Sequence, residues 1–172
     1  MAGSPGRVEY GKMLMFARAL PLIRAGVDAD LRRHGLPCER VLAAILRLLE
    51  LTLFRVGNRE YSRTNGSFGL TTLRDRHAQI QGNHIHLSFR GKSGVRNESD
   101  INDPRVARIV KACRELPGYE LFQYLDDAGE RRTISSPEVK RLFARHHRRG
   151  YNRQGFPYMG RHEPGRTRAV RI

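Results

Sequence analysis

Few side chains in this 172-residue chain stand where their type and neighbours could do chemistry. Arg55 and Gly57 close the stretch LELTLFRVGN, Lys92 sits in FRGKSG between two apolar runs, and Arg74, Arg76 and His77 are crowded into LRDRH. A fixed guanidinium is a strong bidentate match to phosphate oxygens, and a lysine held in a tight turn can be a proton donor or a counter-charge. Each has an ordinary alternative: Arg55 as a cation complementing a helix C-terminus, Lys92 as a solvated turn residue. His77, His84 and His86 have no carboxylate or cysteine partner at metal-ligand spacing, and read as surface or strand-edge side chains. GKSG lacks the GxxxxGK[ST] of a phosphate loop. Cys38 and Cys113 are far apart, without metal or redox spacing, and read as ordinary thiols of a reducing compartment.

Secondary structure has to bring these groups together. From Glu9 to Ile23, Met13, Phe16, Ala17 and Leu20 fall at helical spacing, with Pro21 expected to kink or stop the helix. GVDADLRRHG then reads as a short polar helix or turn ending at Gly35. The strongest helix is LPCERVLAAILRLLELTLFRVGN, where Val41, Leu42, Ile45, Leu46, Leu49 and Leu53 recur at three and four. Pro37 suits its first turn and Gly57 its end, which puts Arg55 in the last turn. Alternation follows: Leu70, Leu73, Ile80, Ile85, Leu87 and Phe89, broken at QGN and GKSG, predict an antiparallel sheet of about three strands. Asp103 and Pro104 open a helix with Val106, Ile109, Val110 and Cys113 inward. PGYELFQYLDDAGE reads as a turn, a short apolar segment and another turn, and SSPEV caps a further helix that runs past residue 140. The expected fold class is α+β, mainly helical, with helices around a small antiparallel β-sheet.

The length fits one domain with a real core. The net charge is +15, which points to nucleic acid. It is unevenly spread: residues 1–140 hold 23 Lys and Arg against 16 Asp and Glu, whereas 141–172 hold 9 against 1. That basic end, rich in Arg, Gly, His and Pro, loses apolar periodicity after its first few residues and is expected to be disordered. No apolar run approaches the roughly 20 residues of a membrane span, and MAGSPGRVEYGK lacks the core of a secretion signal. The expectation is a soluble protein of the cytoplasm, associated with the nucleoid and not with a membrane.

As a set and in this order, LFRVGNREY, GSFGLTTLRDRH and FRGKSG resemble the catalytic domain of type IB DNA topoisomerases, in the branch found in poxviruses and bacteria. The resemblance covers roughly Val8 to Val139. It implies relaxation of supercoiled double-stranded DNA through a 3′-phosphotyrosine, by a monomer, without ATP, metal or other cofactor. It puts Arg55 on the scissile phosphate and makes Lys92 the general acid toward the leaving 5′ hydroxyl. Asn58, Tyr61, Arg74, Arg76 and His77 match positions that line the DNA, and Arg90 is assigned to the same surface. Tyrosine recombinases share an Arg, Lys, Arg, His, Tyr constellation on a related fold, but GSFGLTTLRDRH favours the topoisomerase branch. A basic nucleic-acid-binding module, in which Arg55 and Lys92 only neutralise phosphates, is the alternative from another class.

The chain also departs from that family. It shows neither the second arginine in a DFRTW-like segment nor the histidine and nucleophilic tyrosine that follow, and the β-rich amino-terminal clamp has no counterpart. Tyr151 and Tyr158 lie in the basic end, and no histidine has a tyrosine nine residues on. The genetic code offers an account. Read from the second base of each codon, Met159-Gly160 gives TGG, a tryptophan, without any choice. With permitted third bases, Asn152 to His162 read Thr-Ala-Lys-Asp-Phe-Arg-Thr-Trp-Ala-Gly-Thr, and the preceding residues can read NAYLRDITGEDI. The expectation is a one-nucleotide shift near codon 140. It would leave a leader over 1–7, a partial catalytic domain over 8–139 and an out-of-frame tail over 140–172. Such a chain has no nucleophile, and part of the stripe from Val41 to Leu53 should lie uncovered.

Overall fold

A helix apolar over as much of its surface as residues 41–48 must be covered from several sides, and three other helices do so. The computed structural model describes residues 5–149, with side chains from 18 to 146. At its centre is α2 (Cys38–Thr52), on which Val41 to Leu46 and Leu48 are buried. Helix α1 (Pro5–Leu31) lies against it through Ala19, Ile23, Val27 and Leu31. Helices α4 (Pro104–Arg114) and α5 (Ser136–Arg149) pack on other sides, with Val106, Ile109, Val110, Val139 and Leu142 inward. The stripe is therefore covered over Val41 to Leu48, and the part that lies uncovered is its end, where Leu51 is 45% and Leu53 86% exposed.

Helix α1 is longer than the spacing predicted and passes through Pro21. Pro21 is exposed, which puts the disrupted part of the ladder on the solvent side, where helices tolerate bending. The segment read as a polar turn belongs to α1, because Val27, Asp30 and Leu31 face the core. Asp30 is buried and ion-paired: its carboxylate meets Arg33 at 2.7 Å, His146 at 3.1 Å and Arg145 at 3.5 Å, tying α1 to α5. The expected boundary at residue 139 thus falls inside α5, whose Val139, Leu142 and His146 follow helical spacing into the core. The remainder of the tail, 150–172, and residues 1–4 of the leader lie outside the described residues.

Two helix starts follow local chemistry closely. Asp103 accepts from the amides of Arg105 and Val106 at 3.0 and 3.3 Å, with Pro104 in the first turn of α4. At α5, Glu138 reaches back to the Ser135 amide at 2.6 Å, half of a capping box.

The main sheet is antiparallel in the order β1 (Ala78–Gln81), β2 (His84–Arg90), β3 (Arg96–Asn102). Ile80, Ile85 and Ile101 stand in one row, and Ile85, Leu87 and Phe89 face the core. His84 and His86 face outward as strand residues, His86 bonding Asp100 at 2.9 Å. The α+β, mainly helical fold with three strands is as expected. Leu70 and Leu73, though, belong to a 3-10 turn (Leu70–Thr72) and its exit, not to a strand. A second, two-stranded sheet pairs β4 (Gln123–Leu125), in the short apolar segment read between two turns, with β5 (Arg131–Thr133), which was not read as a strand. Its hairpin is organised by Asp126, which accepts from the amides of Ala128 and Glu130 at 3.0 and 2.9 Å.

Candidate active site

Arg55 is not in the last turn of α2. The helix stops at Thr52 because Leu53 takes a left-handed conformation (φ 57°, ψ 21°) while its amide still bonds Leu49 O at 2.9 Å. Thr52 Oγ1 reinforces the exit, donating to Leu48 O at 2.7 Å and accepting from the Phe54 amide at 3.2 Å. Arg55 therefore leaves the helix on an irregular segment that needs another anchor. The 3-10 turn supplies it: the Leu70 amide donates to Arg55 O at 3.0 Å and the Thr71 amide to Val56 O at 2.8 Å. Thr71 Oγ1 adds a bond to Val56 O at 2.9 Å.

That docking requires Gly57 and Gly69 to cross backbone to backbone. A Cβ on Gly69 would lie 2.5 Å from Gly57 N and 2.8 Å from Arg55 O, and one on Gly57 would lie 3.0 Å from the Gly69 backbone. Gly57, expected as a helix terminator, is instead this crossing point, with φ at +106°. Its carbonyl accepts from Ser136 Oγ at 2.5 Å, so the start of α5 also braces the segment. Asn58 then caps a short helix that the sequence did not announce, α3 (Arg59–Thr64), accepting from the Glu60 amide at 2.9 Å. The chain does not run straight from Arg55 into basic turns, because α3 intervenes.

Lys92 comes from the β2–β3 connection. Gly91 N–H donates to Val95 O at 2.7 Å and Gly94 N–H to Gly91 O at 3.2 Å, closing a turn in which Ser93 is left-handed (φ 61°). The Phe68 amide donates to Arg90 O at 2.8 Å, joining this turn to the loop ahead of Gly69. The result is an open cleft of about 510 Å³ lined by Arg55, Asn58, Tyr61, Phe68, Arg90 and Lys92, with Asn65 and Ser67 at its side. No carboxylate lines it, and no described carboxylate pairs with Arg55, Arg90 or Lys92. Such a basin of three cations and neutral donors suits a phosphodiester oxyanion, and Lys92 adds a proton source. Among the described residues, no three His, Cys, Asp or Glu side chains converge on a metal position.

Five of the eight residues singled out in the sequence thus meet in one cleft. Arg74, Arg76 and His77 do not line it. His77 is buried, not at the surface, and its Nδ1 accepts from the Arg74 amide at 3.0 Å while its ring centre lies 4.5 Å from that of Phe68. Burial, then the charges of Arg76 and Arg74, push its pKa down to about 4, so it is neutral at pH 7. The unfolded chain, with a histidine pKa near 6.5, binds the extra proton first. This contribution to stability is whole above about pH 6.5 and is lost as pH falls toward 4. Urea midpoints of the wild type and His77→Gln should therefore diverge across that window, by up to about 3 kcal/mol. Parallel pH curves would remove His77 from this role. Phe68, Asn65, Ser67 and Gly69 were not singled out in the sequence. Ser67, Phe68 and Gly69 lie in the quoted GSFGLTTLRDRH, but a turn-forming NGSFG says nothing of what each residue lies against.

Residues 4–151 match the family described as the eukaryotic DNA topoisomerase I catalytic core. DNA topoisomerase 1B of Acanthamoeba polyphaga mimivirus is 29% identical over 117 residues, covering 68% of this chain and 35% of the viral protein. DNA topoisomerase 1 of Mycosarcoma maydis is 31% identical over 110 residues, 60% of this chain and 10% of the fungal one. The chain thus spans about a third of the first relative and a tenth of the second. With the match running across α1 to α5 and through the whole cleft, the chain belongs to the DNA topoisomerase I catalytic-core family.

Proposed function

We propose that this chain is part of the catalytic core of a type IB DNA topoisomerase, which relaxes supercoiled duplex DNA by nicking and resealing one strand. One observation carries the reading: Arg55 and Lys92, delivered by separate elements, line the same carboxylate-free cleft. In the reaction a tyrosine oxygen, releasing its proton to water, bonds to the scissile phosphorus as the bond to the 5′ oxygen breaks. Arg55 stabilises the negative oxygens of the phosphorane, and Lys92 gives its proton to the departing 5′ oxygen. The phosphotyrosine bond keeps the energy of the broken one, so resealing needs no further input. Arg90, Asn58 and Tyr61 hold the flanking backbone in the cleft, and Arg76 reaches the duplex outside it. The protein works as a monomer in the cytoplasm.

The family's second arginine, histidine and tyrosine have no match in this sequence, and we propose that the second reading frame after codon 139 encodes them. Its forced tryptophan and the readable Asp-Phe-Arg-Thr-Trp support that. As given, the chain binds DNA without cutting it.

Duplex binding by the chain itself tests the cleft. Log Kd against log salt should be steep, and Arg55→Ala, Arg90→Ala and Lys92→Ala should each lower the slope by about 0.9. Unchanged slopes in all three would take DNA out of this cleft.

A further inference from the structure

Behind the cleft, side chains are layered in a row that the proposed reaction does not use. Phe68, a wall of the cleft, carries the Arg74 guanidinium over its ring at 5.6 Å, and the same guanidinium lies 5.2 Å from the ring of Tyr119. Tyr119 is brought there by backbone pairing. The Asp75 amide donates to Tyr119 O at 3.1 Å, the backbones of Arg74 and Glu120 pair antiparallel, and the Leu121 amide donates to Leu73 O at 2.9 Å. Phe68 also packs on His77, 4.5 Å away between ring centres, followed by Phe89 at 6.4 Å and, 5.1 Å beyond that, Phe54, the neighbour of Arg55. Tyr119 is 64% exposed and forms the outer end of this row.

The Arg74 guanidinium thus lies within cation–π reach of two rings, a placement that a cation favours. No described carboxylate pairs with it, so nothing pulls it out of the stack. Phe68 stands between it and the cleft, which Arg74 itself does not line. Arg76, two residues on, is the contrast: it is exposed, with its Nε 3.4 Å from His77 Nε2, which carries the ring proton and offers it no acceptor. We propose that Arg74 is a positioning residue, its cation held over the rings of Tyr119 and Phe68, which holds the Phe68 wall against the Arg90 end of the cleft and does not itself touch DNA phosphate. The inference rests on the cleft being the DNA site.

Duplex binding over a range of salt distinguishes the roles. Arg74→Met keeps the stem and drops the stacked charge. It should weaken binding about 3- to 10-fold at every salt with the slope of log Kd against log salt unchanged. Phe68→Leu should do the same, and the double variant should be no weaker than the worse single, because both remove one device. Tyr119→Leu, at the exposed end where folding is least at stake, should also weaken binding without changing the slope. Arg76→Met should instead lower the slope by about 0.9. A slope lowered by about 0.9 in Arg74→Met, or an affinity untouched by Arg74→Met and Tyr119→Leu alike, would overturn the proposal. Wild-type protein that binds no duplex at any salt would fail the DNA reading itself, and this inference with it.

Discussion

Alanine at Gly69 is expected to destabilise the protein by about 3 kcal/mol or more and to abolish duplex binding in whatever remains folded. The added carbon would lie 2.5 Å from Gly57 N and 2.8 Å from Arg55 O, and both neighbours are backbone, which cannot swing aside as a side chain can. Relief requires the segment Arg55–Gly57 to retreat. That stretches the bonds from the Leu70 and Thr71 amides to Arg55 O and Val56 O, each a net contribution of about 1 kcal/mol. Gly57→Ala should behave similarly, since φ at +106° adds strain to its own close contact. Gly66→Ala is the control: its surroundings are open and only a φ of +58° opposes it, so about 1 kcal/mol is expected. Urea midpoints with duplex anisotropy on the same samples read both effects. A Gly69→Ala protein as stable as the wild type would show that the crossing does not hold Arg55.

The other large effect concerns chemistry. In a protein made by reading the gene in its second frame after codon 139, Arg55→Ala is expected to slow plasmid relaxation by about 10²–10³-fold, the cost of one fixed donor to a developing oxyanion. Lys92→Ala should slow it by about 10²–10⁴-fold, the range for a missing general acid. The two losses should differ in kind. Arg55→Ala removes a charge that also binds ground-state phosphate, so it weakens DNA binding as well as the cleavage step. The larger part of the Lys92→Ala defect should fall on cleavage, read as single-turnover formation of the covalent adduct at saturating protein. Equal and small losses in both variants would mean that these cations only neutralise phosphate.

How far the sequence foretold this arrangement depended on the range of the interaction. Asp103 before Pro104, and Ser135 three residues before Glu138, are local chemistry, and their helices start where that chemistry puts them. Alternation at Ile85, Leu87 and Phe89 marked the buried face of the main sheet, and the breaks at QGN and GKSG its strand count. Lys92 was legible because GKSG is a turn with strands on both sides. Arg55 was found by its motif but misplaced by periodicity. Leucine in the left-handed region at position 53 is a helix stop without a glycine signal, and the apolar spacing continues past it. Six-residue α3 is too short to show a period. The Gly57–Gly69 crossing and the burial of His77 in a run of charges are tertiary facts, as is the meeting of Arg74 with the rings of Phe68 and Tyr119. Pro21 was expected to kink or stop the helix, and it does not stop it: α1 runs on to Leu31 with Pro21 on its exposed side.

Plasmid relaxation in the absence of ATP and magnesium tests the central claim most directly, with the chain as given set beside the version read in the second frame after codon 139. The account predicts relaxation by the second-frame protein and none by the chain as given, though both bind duplex. Failure of both to relax DNA, with duplex binding intact, would contradict a catalytic role for the Arg55–Lys92 cleft and leave a nucleic-acid-binding module in its place.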